Sequence, residues 1–427
     1  MNAAFTIVAK NYFSVALTLA DSIKKNHPGI DFYILLADET NDKIDFEGEN
    51  HLLVFTRDIN IPLYNNLAFK YNITEFCTAV KPFFFDYLFK LKNYEKIIYF
   101  DPDIYVYSSL NSIYNALNNS TALITPHFIT PQINYTGNAP ETAILFAGIY
   151  NLGFIALKNC DEGLLIIEWW KERLYDLCYA DKFEALHVDQ KWVDFLPALY
   201  KGVAVSRYLG YNIAYWNIHE RQFVKTGNES YKVINRITMD EGDPLVFVHF
   251  SGLNPLDIYN NKQCPTIIMS NYPDWEVLIK EYAQRVIEND FSRYLSYSYA
   301  YAEFENGDKI TQFHRRLFRR ITDENIKSFD DPFAVGENSF FELIRKNKLL
   351  IKKSSNADKL NERNFEGFDN KIKKLNAIMR YIKRILGFEK YTLLLKFCQR
   401  YFRPENQTFL IKELANQIKF KNENINT

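Results

Sequence analysis

The chain has no apolar run of 18 or more residues, and LLIIEWW breaks at Glu168, which excludes a transmembrane helix. Cysteine is scarce. The five residues, Cys77, Cys160, Cys178, Cys264 and Cys398, are scattered, odd in number and without Cys-x-x-Cys spacing, a pattern of free, mostly buried thiols in a reducing compartment rather than a disulfide framework. Neither sign of charge dominates: 51 Lys and Arg face 52 Asp and Glu, which argues against a general nucleic-acid binder. The opening MNAAFTIVAKN is too short and too soon interrupted for a signal peptide, so the expected location is the cytoplasm. No internal repeat is present.

What is abundant is core-forming material. Of the 427 residues, 47% are hydrophobic and 16% aromatic, enough for a large core and too apolar for disorder. The length suits two or three folding units. The near-neutral total hides an asymmetry: residues 371–403 hold ten Lys or Arg and one acid, Glu389, leaving the preceding residues strongly acidic.

Over the first 250 or so residues the chain alternates short apolar runs with helical patterns, the mark of an α/β sheet with helices on both faces. AAFTIVAKN, DFYILLAD and HLLVFTRDI read as strands, with a helix from Tyr12 to Asn26 stopped by His27-Pro28-Gly29. TEFCTAVKPFFFDYLFKL is helical, with a break near Lys81 imposed by Pro82. YEKIIYFDPDIYVY, TALITPH, NLGFIAL, VAVSRY, NIAYW and PLVFVHF read as further strands; GLLIIEWWKERLYDL and DQKWVDFLPAL read as helices. The expected division is a catalytic domain over 1–270, a helical extension over 271–353, a polar linker over 354–370 and basic amphipathic helices over 371–427.

The strongest local feature is IIYFDPDIYVY, where an apolar strand delivers Asp101 and Asp103 at its C-terminal edge. Ligands gather at that edge in open α/β sheets. Side chains two apart on an extended chain point the same way, so both carboxylates can reach one hard cation, Mg²⁺ or Mn²⁺. An alternative is a solvated turn. A second is a haloacid-dehalogenase-type phosphatase, although that chemistry expects Gly and then Thr or Val where Ile104-Tyr105 stand.

FDPDI, YNLGFIAL, DQKW and HFSG, in this order over residues 3–255, resemble family 8 glycosyltransferases and related bacterial GT-A enzymes. The resemblance implies a GT-A, Rossmann-like fold with a helical C-terminal extension. It implies transfer of a hexosyl unit from a nucleoside diphosphate sugar, expected to be UDP-linked, to a hydroxyl acceptor with retention of configuration. It further implies a Mn²⁺ or Mg²⁺ held by Asp101, Asp103 and His249. Asp189 and Gln190 would stand beside the donor sugar, with Asn151 and Gly153 near it. Gly252 would let backbone approach the diphosphate, and Ala9, Asn11 and Tyr12 would hold the nucleoside. The lysine that the family places after this glycine is replaced by Leu253-Asn254-Pro255. Lys81 matches a basic residue near the donor, or is an ordinary surface lysine. A non-catalytic sugar-binding relative remains a third alternative.

The 371–403 segment mixes Lys and Arg with Ile, Leu, Phe and Tyr at helical spacing. It reads as a helix for the anionic inner face of a membrane, where lipid-linked saccharide acceptors would be met, or as a docking helix with a solvated basic face.

Overall fold

The structure, a computed structural model, describes residues 1–40, 46, 48–133, 135, 137, 139–227, 230–239, 241–262, 271–352, 358 and 365–415. Cys264 and much of the expected linker lie outside these residues. The chain forms two compact units, one of residues 1–62 and 73–300, the other of 63–72 and 301–427. The helix Pro273–Glu288 belongs to the first unit, where Trp275, Leu278, Ile279 and Tyr282 join its core.

Strands β1 (Asn2–Val8), β2 (Asp31–Leu36), β3 (Leu52–Phe55), β4 (Lys96–Phe100), β5 (Ile104–Val106), β6 (Ala122–Pro126), β7 (Tyr150–Lys158) and β8 (Val203–Val205) follow in sequence. All but β5 build a seven-stranded sheet ordered β3-β2-β1-β4-β7-β6-β8. β1, β2, β3 and β4 run parallel, β7 is antiparallel to both β4 and β6, and β6 is parallel to β8. The first unit is thus the α/β class read from the sequence. Alternation along β1 sends Ala4 and Val8 into the cluster formed with Phe13, Ala16 and Leu19 of the helix Phe13–Asn26. Phe5, on the opposite face, meets Phe84 and Phe85 of the helix Lys81–Lys92 edge-on. Helices therefore cover both faces.

The break expected near Lys81 is present: one helix spans Ile73–Ala79 and the next begins at Lys81. Pro82 sits in the first turn of the second, where its missing N–H costs no intrahelical bond.

Three readings differ. The acidic triplet is not a continuous strand: β4 ends at Phe100, and Ile104 N donates to Asp101 O at 3.2 Å, closing a turn before β5. NIAYW supplies one bridge, Ile213 to Val248, rather than a strand. Strands β9 (Arg221–Gly227), β10 (Ser230–Asn235) and β11 (Asp243–Pro244) form an antiparallel sheet that the apolar runs did not announce, because much of β9 faces solvent. β12 (Phe247–His249) pairs antiparallel with β5, setting His249 opposite Ile104.

The second unit is helical. Its core gathers Phe69, Phe304, Phe318, Phe329, Phe340 and Ile344. The helix Gln312–Asp323 starts in a capping box between Thr311 and His314, and Arg315 closes the loop ends by donating to the carbonyls of Phe69, Tyr71 and Tyr301. Among the described residues no helix is long and apolar enough to cross a membrane.

Candidate metal and donor site

Register brings the site together. Because β7 runs antiparallel to β4, its N-terminal residues stand at the edge where β4 ends: Phe100 lies opposite Phe154, and Asp101 N donates to Gly153 O at 2.7 Å. The β5–β12 pairing then places His249 against the turn, with Phe250 N donating to Asp103 O at 2.8 Å. Asp101, Asp103 and His249 each offer one ligand atom, all within 4.8 Å of one another. The Nε2 atom of His249 stands 3.1 Å from Asp103 Oδ1 and 3.7 Å from Asp101 Oδ2.

The ring orientation is set from behind. Nδ1 of His249 lies 3.2 Å from Asn151 Oδ1 and 3.3 Å from Asn212 Oδ1. Asn151 Oδ1 also accepts from Gly153 N and from Asn212 Nδ2, and Asn212 Nδ2 reaches Thr125 Oγ1 at 2.8 Å, so both amide oxygens face the ring. Nδ1 therefore carries a hydrogen, and Nε2 turns toward the carboxylates. His127 completes the chain. Its Nδ1 meets Ile149 O and its Nε2 takes the Asn151 amide, which leaves it neutral, and burial holds its pKa at about 4.

Two carboxylates and an imidazole nitrogen pointed at one another need a cation between them, either a proton on the ring or a divalent ion. Burial opposes the imidazolium, but Asp103, through its charge and hydrogen bond, and then Asp101 outweigh it and raise the His249 pKa above its usual value. Burial likewise raises Asp101, against the charges of Lys81 and His249. Adjacent donors around a six-coordinate ion with bonds of about 2.1 Å stand about 3 Å apart, close to the His249–Asp103 separation. One nitrogen and two carboxylates fit Mn²⁺ and, less selectively, Mg²⁺.

Gly153 is what allows this packing. A Cβ there would lie 2.3 Å from Cε1 and 2.5 Å from Nδ1 of His249.

A cleft of about 390 Å³ opens beside the turn, lined by Ala9, Asn11 and Tyr12 after β1, by Cys77 and Tyr99, and by Asp101, Pro102 and Asp103. The three residues matched to a nucleoside thus share one cleft with the acidic turn. Lys81 is no surface lysine: it is 1% exposed, its Nζ is ion-paired with Asp189, donates to Leu152 O at 3.1 Å and rests 4.0 Å from the centre of the Tyr99 ring. Asp189 is equally buried, and that burial raises its pKa against the Lys81 charge. Tyr99 donates to Asp101 Oδ1 at 2.5 Å, linking the two acidic centres. Gln190 braces the start of β7, accepting from Leu152 N at 3.1 Å and donating to Ala147 O at 2.9 Å. Gly252 adopts φ +71°, a left-handed conformation that favours glycine. Asn254, where the resemblance expects the lysine of a Lys-Pro pair, instead caps the helix Pro255–Tyr259 by accepting from Leu256 N.

Asn212, His127, Cys77 and Tyr99 escape the sequence reading. Tyr99 alone carries a signal, standing two residues before Asp101 at the end of a strand.

No family model matches the chain. It is 26% identical over 293 residues to "Uncharacterized protein YfnF" of Bacillus subtilis strain 168, covering 66% of this chain and 92% of that protein. It is 25% identical over 256 residues to "Uncharacterized protein YfnD" of the same organism, covering 58% and 76%. Among solved structures it is similar to the galactosyltransferase LgtC in complex with donor and acceptor sugar analogs, at 15% identity and TM-score 0.37, covering 66% of this chain and 95% of that one. It is also similar to the glycosyltransferase GlyE of Streptococcus pneumoniae TIGR4, at 13% identity and TM-score 0.37, covering 71% and 66%.

Proposed function

We propose that this chain is a metal-dependent glycosyltransferase that moves a hexosyl unit from a nucleoside diphosphate sugar, UDP-linked in the first instance, to a hydroxyl of a saccharide or lipid-linked saccharide. The observation that carries the reading is the convergence of Asp101, Asp103 and His249, of which the two aspartates line the same cleft as Ala9, Asn11 and Tyr12. The four linked sequence motifs support it, since YNLGFIAL and HFSG furnish the residues that orient and complete this cluster.

Asp101, Asp103 and His249 would hold Mn²⁺ or Mg²⁺, which when bound supplies counter-charge to a departing diphosphate. Ala9, Asn11 and Tyr12 would seat the nucleoside, and the positive-φ backbone at Gly252 would approach the diphosphate. Asp189 would accept hydrogen bonds from sugar hydroxyls, its carboxylate held in place by Lys81 rather than left to solvent. That assignment makes Lys81 a positioning group for Asp189, not a substitute for the missing phosphate lysine. Gln190 offers no carboxylate for a double displacement, which favours attack on the face the diphosphate leaves, with a phosphate oxygen taking the acceptor proton and configuration retained. A cytoplasmic role in surface-polysaccharide assembly fits these substrates.

The test is a thermal-shift screen of nucleoside diphosphate sugars with Mn²⁺ on the wild type and Asp103→Ala. Stabilisation by a UDP-sugar that needs Mn²⁺ and disappears in the variant is expected. Stabilisation unaffected by the substitution sinks the site, and an inverted product by NMR sinks the stereochemical assignment.

A further inference from the structure

The helix Phe368–Tyr401 has no buried residue among its 34, although it carries many large apolar side chains. Ile378 is 55% exposed, Ile385 65% and Phe388 72%. These side chains are not scattered. Phe368, Ile372, Leu375, Met379, Ile382 and Leu386 recur at alternating spacings of four and three, which is one stripe on a helix, and Ile378 and Ile385 widen it on one side. Lys373, Arg380 and Arg384 fall on the opposite face, and Lys371, Lys374 and Lys383 flank the widened stripe. Gly387, at φ +74° and ψ +165°, interrupts the helix there. Beyond it Phe388, Leu395 and Phe402, seven apart, form a second apolar line.

The charge pattern selects the occupant. Every Lys and Arg from Lys371 to Lys396 is exposed, and Glu389 is the single acid among residues 371–403. A second copy of the helix would set one basic flank against another, with too few acids to pair them. An anionic lipid surface answers both features at once, taking the stripe among its acyl chains and the Lys and Arg among its headgroups. The helix is too polar to cross, so the geometry is that of a helix lying in the interface.

We propose that Phe368–Tyr401 is a membrane-surface anchor, two in-plane segments jointed at Gly387, that recruits this protein to anionic bilayers. The inference stands apart from the catalytic reading, because none of these residues belongs to the cleft.

Co-sedimentation of the full chain with phosphatidylglycerol-rich and with pure phosphatidylcholine vesicles tests it. The expected result is recovery with the anionic vesicles only, reduced by salt. Leu375→Asp with Ile382→Asp should abolish recovery. Lys383→Glu with Arg384→Glu should weaken partitioning at least about 25-fold, at about five-fold for each basic residue. Both pairs of changes are on an exposed surface, and unchanged thermal melts establish that the variants fold. Equal recovery with both vesicle types, or recovery indifferent to all four changes, overturns the proposal. So does a lipid-free dimer by light scattering that Leu375→Asp dissociates while wild type fails to bind vesicles.

Discussion

Substituting Gly153 by alanine drives a methyl carbon into the ring of His249, and the consequence follows from distances. The new Cβ would stand 2.3 Å from Cε1, 2.5 Å from Nδ1 and 2.9 Å from Asn151 Oδ1. Carbon atoms pack at about 3.5–4.0 Å, so the ring must retreat by about 1.2 Å or more. It cannot swing freely: Asn151 and Asn212 hold Nδ1, and the Trp216 ring packs edge-on with centroids 5.2 Å apart. Relief therefore breaks either that network or the approach of Nε2 to Asp103. Overpacking of this kind costs about 1–3 kcal/mol of stability. Displacing a ligand through its support weakens metal affinity by about 10–100-fold. The assay is Mn²⁺ titration followed by electron paramagnetic resonance, with urea unfolding of both proteins in the absence and presence of Mn²⁺. An alanine variant as stable as wild type, with Mn²⁺ affinity within about two-fold of it, would refute the packing argument.

Other outcomes follow from the same contacts. Asn212→Ala removes bonds to Thr125, Asn151 and His249, and should destabilise by about 1–3 kcal/mol while weakening Mn²⁺ binding; urea melts with metal titration read both effects. Lys81→Met strands the buried Asp189 carboxylate and should cost about 3–5 kcal/mol, much of it recovered in Lys81→Met/Asp189→Leu; a double-mutant cycle by urea unfolding measures the coupling. His127 has its pKa lowered from 6.5 to about 4, chiefly by burial. Its neutral form therefore contributes stability that is full above pH 6.5 and lost as pH falls toward 4, about 3 kcal/mol in all, and a stability–pH profile should flatten over that window in His127→Gln. His249 is displaced the other way, so without metal its imidazolium contributes stability below pH 6.5 that is lost as pH rises through the raised value. Mn²⁺ competes with that proton, so its affinity should rise with pH over the same range, measurable by titration at a series of pH values.

Much of the framework was legible because it rests on local rules. Apolar runs of strand length marked β1, β2, β4, β6 and β7, and the helix Phe13–Asn26 ends where His27-Pro28-Gly29 required. Pro82 located a helix boundary because the ring's missing N–H is tolerated only in a first turn. β9 and β10 went unread, since a ribbon with solvent on one face carries little apolar signal.

The acidic pair marks the division most clearly. Sequence alone determined that two carboxylates stand at the end of a buried strand, because an apolar run must end where polar residues reach the sheet edge. How they converge was a tertiary matter: β5 leaves the sheet to pair with β12, the chain turns at Asp101–Asp103 instead of extending, and His249 arrives from a distant segment by register. Asn212, which aims that histidine, and the burial of Lys81 against Asp189 were likewise beyond local reading. Residue types and their spacing decide secondary structure through neighbours along the chain. Which buried polar atoms satisfy one another depends on strand order and crossings, which only the folded chain specifies.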